Sequence, residues 1–352
     1  MKSNKQSNLL RPVAFFALAA ILILTVCFAA SGYDEATGGE NDTISTEQNE
    51  GEMDPPQAPV PEYFDRLTGL PTDLDKTNTK EIAFVLNSTD PLFGVQASKV
   101  TIEIPTEGGG TRLVVHLEKD SLPGKIGSLS PTRGYISSFC SAFSGLLVSY
   151  GNDGKLDASK NGDSFDMSSV TGYSYTEYTT YHYTNADLVT AGIKNLSLTD
   201  KAERALPFSF VKYGEQIRNT QRAARLTIPY SEINITDLVY SGDDGEYKLL
   251  KNGNASIDLL SGRPLTYKNV FLLFLDSITY ETSDYTEMIL NTEGNGKGLY
   301  LTNGTYREIY WFKGDDGELV FTTPEGDELL VNRGTSYISV VKSSMNKSIT
   351  II

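Results

Sequence analysis

Residues 99–117 read KVTIEIPTEGGGTRLVVHL, and the folding of that stretch decides the architecture of the first half of the chain. Val100, Ile102 and Ile104 alternate with polar neighbours, and Leu113, Val115 and Leu117 resume the alternation beyond three consecutive glycines. Successive side chains of a strand point to opposite faces, so both runs read as half-buried β-strands. The simplest connection is a bulged hairpin turn at 108–110 between strands 99–105 and 111–117, with Arg112 paired to Glu107 or Glu103. A second reading makes the same residues a site. The glycines leave room for a ligand against the backbone, while Arg112, brought beside Arg133, clamps an acidic group.

Working outward, 80–88 (KEIAFVLNS) reads as a buried strand. Ile136, Phe139, Cys140, Phe143 and Leu147 share one helical face, which predicts a helix over 135–146 packed on the strands, opened by Pro131 with Ser130 or Thr132 as cap. Residues 164–184 are rich in Ser, Thr and Tyr; they read as an irregular loop or a strand pair, and tyrosines flanked by threonines favour cross-strand pairing. Short helices are expected over 185–194, capped by Thr184 or Asn185, and over 200–206. From about Leu226 short apolar runs alternate with turn signals such as Gly-Asp-Asp-Gly at 242, Asn-Gly-Asn at 252 and Asn-Gly at 303, the texture of a mostly antiparallel β region. The expected class is α+β. A mixed N-terminal domain spans 63–228, with a mainly antiparallel sheet and packed helices, and a mostly antiparallel β domain spans 229–345.

Lys and Arg total 30 against 45 Asp and Glu, a formal charge of -15, so the long-range field repels phosphate polymers and argues against a nucleic-acid partner. Only two histidines occur. His116 lies at an alternating strand position and His182 lies among tyrosines, and neither flanks a nucleophile motif, so polar strand-face positions are expected. Asp157, Ser159, Asn161, Gly162 and Asp163 resemble the opening of a calcium loop, but Ser168 stands where a bidentate Glu belongs, and the stretch reads as a solvated turn. No metal or cofactor is expected. The two cysteines are Cys27 and Cys140, the latter read as a small buried apolar residue.

Lys2, Lys5 and Arg11 precede an uncharged run over 12–30, which reads as a signal peptide or membrane anchor within 1–32, leaving the rest of the chain outside the cytoplasmic membrane. Leu24-Thr25-Val26-Cys27 is similar to a lipoprotein box with Cys27 as the lipidation candidate, although Val26 stands where Gly, Ala or Ser is usual. Residues 33–62 are acidic and end Pro-rich, a linker too polar to bury a core.

Glu107, Gly108, Gly109, Gly110, Thr111 and Arg112, followed by Lys125-Ile126-Gly127 and Arg133-Gly134-Tyr135, resemble the N-terminal domain of the YerB-like lipoproteins, a bacterial family of unknown function. The second half resembles that family through Lys268-Asn269-Val270, Gly294-x-Gly296-Lys297-Gly298, Thr302-Asn303-Gly304, Trp311-x-Lys313 and Asn332-x-Gly334. The resemblance covers about residues 64–342. It implies a membrane-attached extracytoplasmic protein of Gram-positive-type bacteria and no established activity. Ser130 replaces a family arginine, and the stretches at 149–153 and 179–184 depart from family elements that carry histidines. Those departures remove polar groups from a shared pocket and put any family activity in doubt. The expected function is a non-catalytic binding module for a cell-wall component or envelope protein, contacting it through Glu107, Gly108, Gly109, Thr111, Arg112 and Arg133. One alternative is a wall glycan or peptide hydrolase or transferase using Glu103 and Glu107. Another is a solute receptor with a deep interdomain cleft.

Overall fold

The computed structural model describes residues 60–73, 81–143, 145–156, 163–177, 180–198, 206–281, 286–314 and 316–352. The leader with Cys27, nearly all of the linker, the calcium-like stretch 157–162 and most of the helix expected over 200–206 lie outside the described residues. Residues 58–352 make one compact unit.

Strands β1 (Glu81–Asn87), β2 (Val100–Pro105), β3 (Thr111–Glu118) and β4 (Ile126–Leu129) precede helix α1 (Gly134–Cys140). Strands β5 (Leu146–Ser149) and β6 (Asp163–Asp166) precede helix α2 (Ala186–Asn195). The second half contributes β7 (Arg225–Ser231), β8 (Asn234–Ser241), β9 (Glu246–Lys251), β10 (Asn269–Leu275), β11 (Ser277–Glu281) and β12 (Thr286–Leu290). It continues with β13 (Gly294–Thr302), β14 (Thr305–Lys313), β15 (Leu319–Thr322) and β16 (Ser336–Lys342). Strand is the dominant structure, largely in antiparallel pairs, and α-helix is a minor component.

A 14-stranded sheet runs in the order β14-β13-β10-β16-β2-β3-β1-β4, extended beyond β14 by Gln221–Arg222 and beyond β4 by Tyr181–Thr184 and Tyr175–Glu177. At its centre β16 pairs in parallel with both β2 and β10, joining strands from the two halves of the sequence. A six-stranded sheet built on β7, β8 and β9 covers one face. Residue 228, the expected boundary, falls inside β7.

Alternation along the central strands sends side chains into two cores. Val100, Ile102, Ile104, Val114, Phe271 and Ile338 pack with α1 on one face. Leu113, Val115, Leu117, Leu272 and Tyr337 pack against Leu226, Leu238 and Leu249 of the second sheet on the other. Both faces are therefore closed, and every residue of β2 is buried where a half-buried strand was expected.

The helix expected over 135–146 stops at Cys140, and Leu146 and Leu147 enter β5 beside β1, pairing with Ile82 and Ala83. Ser141 donates its hydroxyl back to the Ser138 carbonyl at 2.7 Å, a bond that competes with helix propagation. The strand pairing then claims the residues that follow. Helix α2 forms as its pattern predicts, with the Asn185 side chain accepting from Leu188 N at 2.9 Å. Tyr175–Glu177 and Tyr181–Thr184 form the antiparallel pair expected of the tyrosine-rich stretch.

Candidate functional site

Glu107–Gly109 form a tight 3-10 turn between β2 and β3. Gly108 and Gly109 adopt φ of 70° and 77°, the left-handed region that L side chains avoid. A Cβ on Gly108 would meet nothing within 4 Å, whereas on Gly109 it would come 2.6 Å from the Ser231 Cβ. The clearance at Gly109 is thus filled by the second sheet, and only Gly108 stands open.

Behind the turn lies a buried polar cluster. Glu103 is fully buried and accepts from Lys251 Nζ at 2.5 Å, and from the Thr111, Thr236 and Tyr337 hydroxyls at 2.7 Å each. Lys251 also donates to Asn234 Oδ1 at 2.7 Å and Thr236 Oγ1 at 2.8 Å, and Asn234 Nδ2 reaches the Gly109 carbonyl at 3.0 Å. Burial pushes the Glu103 pKa up, but Lys251 and the hydroxyl donors outweigh it and hold the carboxyl below its ordinary value. Thr111, an expected contact residue, is 1% exposed and faces this cluster, not solvent. Glu103 is likewise sealed from any substrate. Lys251, Asn234, Thr236 and Tyr337 escaped the sequence reading because nothing local marks them as partners of Glu103.

The arginines divide their roles differently from the expected pairing. Arg133, not Arg112, binds Glu107: Nη2 lies 3.0 Å from Oε2, and Nε lies 3.3 and 3.2 Å from the two oxygens. This fork ties the start of α1 to the glycine turn, and burial opposed by the stronger pull of Arg133 leaves the Glu107 pKa low. Arg112 donates through Nε to the Pro131 carbonyl at 3.2 Å and through Nη1 to the Thr111 carbonyl at 3.3 Å. Among the described residues it has no carboxylate at ion-pair distance. Burial, reinforced by the neighbouring Arg133 guanidinium, pushes its pKa down. Arg112 is thus a partly buried cation held by neutral carbonyls.

Beside the Arg133–Glu107 pair opens a cavity of about 600 Å³ between α1 and the β11–β12 hairpin, lined by Tyr135, Asp153, Lys155, Met288 and Thr292 among others. Tyr135 donates its hydroxyl to the Pro105 carbonyl at 3.0 Å, and Lys155 and Glu287 form an ion pair at the rim. Asp153 Oδ2 accepts from Gly134 N at 3.1 Å, and the Met288 amide lies 3.5 Å from Glu107 Oε1. Of the positions that depart from the family pattern, Asp153 lines this cavity, and Tyr150 contacts both Ser130 and His182. Tyr150 N bonds the Ser130 carbonyl at 3.2 Å, and the Tyr150 ring stacks on His182 at 3.5 Å.

His116 is not on a polar strand face. It is fully buried, with Nδ1 3.1 Å from the Val100 carbonyl and its ring against Phe143. Burial pushes its pKa down to about 4, against the pull of the Val100 and Cys140 carbonyls. The strand alternation was read correctly, but the face opposite Val115 is covered by α1. Cys140 is a free, buried thiol. Among the described residues no group of three His, Cys, Asp or Glu could hold a metal, and no helix is long and apolar enough to cross a membrane.

These features define a class: a predominantly β chain whose residues 226–338 match the family described as "Protein of unknown function (DUF3048) C-terminal domain". No curated protein matches. Among solved structures, the crystal structure of YerB protein from Bacillus subtilis aligns with a TM-score of 0.71 at 20% identity, over 83% of this chain and 100% of that one. The chain is YerB-like and divergent, and at that identity the structural likeness concerns the fold.

Proposed function

We propose that this chain is a non-catalytic binding module, attached to the outer face of the cytoplasmic membrane through its N-terminus, that takes an anionic group of a cell-envelope component beside Arg112. The observation that carries this reading is the Arg112 guanidinium, partly buried and without a carboxylate partner among the described residues. A cation so placed favours an incoming carboxylate or phosphate, since such bonds are charge-assisted and roughly twice as strong as neutral ones. Gly108 leaves open space at the turn. The membrane attachment rests on the apolar run over 12–30 and on Cys27.

The partners of Glu103 and Glu107 favour binding over the rival hydrolase reading. Glu103 is saturated by Lys251 and three hydroxyls, and Glu107 is forked by Arg133. The receptor reading requires a cleft between the halves, where β2, β16 and β10 instead run side by side.

Thermal-shift titration of the full-length chain in detergent, with anionic muropeptides and teichoic acid fragments, tests the proposal. A binder of the folded form raises the melting temperature. The wild type is expected to shift, and Arg112→Ala is expected to lose the shift while melting at the wild-type temperature without ligand. An Arg112→Ala protein that binds as well as the wild type overturns it, as does a wild type that no anionic fragment stabilises.

A further inference from the structure

A second feature lies far along the sheet from Arg112. Strand β14 alternates strictly: Ile309 and Trp311 point into the core, while Glu308, Tyr310 and Phe312 face outward. Tyr310 is 39% exposed and Phe312 53% exposed. The six-stranded sheet that seals this face over Val270, Leu272 and Leu301 does not extend over its far end. There Phe274, Leu299 and Tyr310 floor a groove of about 380 Å³, walled on one side by Ser343 and Asn346. That volume falls within the range of small-ligand sites.

The platform is braced from beneath. Trp311, the chain's single tryptophan, donates its indole N–H to the Phe274 carbonyl at 3.2 Å. It lies so close to the neighbouring strand that a Cβ on Gly296 would sit 2.6 Å from its Nε1. Register places Lys297 directly opposite Tyr310 and Asn295 opposite Phe312. Asp276, Glu308 and Asn346 complete the rim. Among the described residues none of these five polar side chains is hydrogen-bonded or ion-paired within the protein. Two exposed rings about 6.7 Å apart as next-but-one residues of a strand, Tyr310 in the groove and Phe312 just beyond it, are thus edged by amides, an ammonium and carboxylates with bonds to give.

We propose that this groove is a carbohydrate site that takes a chain of β-linked pyranoses. A pyranose presents an apolar C–H face that stacks on an aromatic ring and a rim of hydroxyl or amide groups that both donate and accept. That is the complement of rings edged by unpaired polar side chains. A phosphate polymer would meet Asp276 and Glu308 at the groove and the net charge of -15 beyond it. An apolar protein segment would desolvate the five polar groups without partners.

The test is isothermal titration of the full-length chain with the β-1,4-linked tetramers of N-acetylglucosamine and of glucose, with Trp311 fluorescence read in parallel. Saturable binding of at least one tetramer is expected. Tyr310→Ala and Phe312→Ala should each weaken it at least tenfold, while Phe312→Tyr retains it, and the outward position of both rings should leave the melting temperature unchanged. Arg112→Ala should bind the sugar as the wild type does, which separates this site from the anion site proposed above. Failure of the folded wild type to bind either tetramer overturns the proposal, and so does binding undiminished in the Tyr310→Ala, Phe312→Ala double variant.

Discussion

Replacing Lys251 by Met leaves the Glu103 carboxyl buried with only neutral donors, the hydroxyls of Thr111, Thr236 and Tyr337. Removing one partner of a buried ion pair costs about 3–5 kcal/mol. Protonation of Glu103 limits that cost. Relative to an unfolded carboxyl near pKa 4.3, holding it neutral at pH 7 costs about 2.7 units at 1.36 kcal/mol each, or about 4 kcal/mol. The same limit is about 1 kcal/mol at pH 5, so the Lys251→Met deficit should shrink as the solution is acidified. The wild type behaves in the opposite sense. Its Glu103 pKa is lowered, so the pair contributes fully above the unfolded carboxyl pKa, and that contribution is lost only as pH falls through the lower folded value. Urea unfolding of wild type, Lys251→Met, Glu103→Gln and the double variant at pH 7 and 5 measures this. The double variant should be less destabilised than the two single variants added together. A Lys251→Met deficit below about 1 kcal/mol at pH 7, or strict additivity, would refute the reasoning.

Arg133→Ala should lower stability by about 1 kcal/mol, because the pair it breaks is only partly buried, and adding Glu107→Ala should recover part of the loss by urea unfolding. Gly109→Ala should destabilise more than Gly108→Ala, which bears only the left-handed backbone cost of roughly 1–2 kcal/mol, because only at 109 does the new methyl meet Ser231; equal melting temperatures would contradict this. His116 has an unfolded pKa near 6.5 and a folded value of about 4, so its contribution is complete above pH 6.5 and falls by about 3 kcal/mol as the pH drops to 4. His116→Phe should flatten the stability profile across that window, and an unaltered slope would rule His116 out as its source. Lys99 joins Asp65, Glu81 and Glu118 at 2.6, 2.9 and 3.1 Å, so Lys99→Ala should cost about 3 kcal/mol and speed limited proteolysis near residue 65.

Local pattern carried much of the fold. The alternation on either side of the glycines specified the β2–β3 hairpin, with Ile104 opposite Arg112 and Pro105 opposite Thr111. The Asn-Gly signals became turns with positive φ at Asn252, Gly253, Asn303 and Gly304. What pattern could not carry is pairing at long sequence separation. Nothing in Thr101 or Glu103 announces a second sheet above them, so those positions read as solvent-facing until Lys251 and the Tyr267 hydroxyl are seen against them. At the site, the expected partner of Glu107 was Arg112, and the carboxylate takes Arg133 instead, because which arginine it meets depends on where α1 begins. Tyr310 and Phe312 were legible only as members of an apolar run, because their exposure is set by how far the covering sheet extends.

Strand β16 lies between β2 and β10, yet it follows every other strand of that sheet in the sequence. Until Ser336–Lys342 has been synthesised, the facing edges of β2 and β10 have no neighbour between them. A chain lacking Ser336–Lys342 therefore has an unfinished sheet with two sticky margins and is not a smaller working protein.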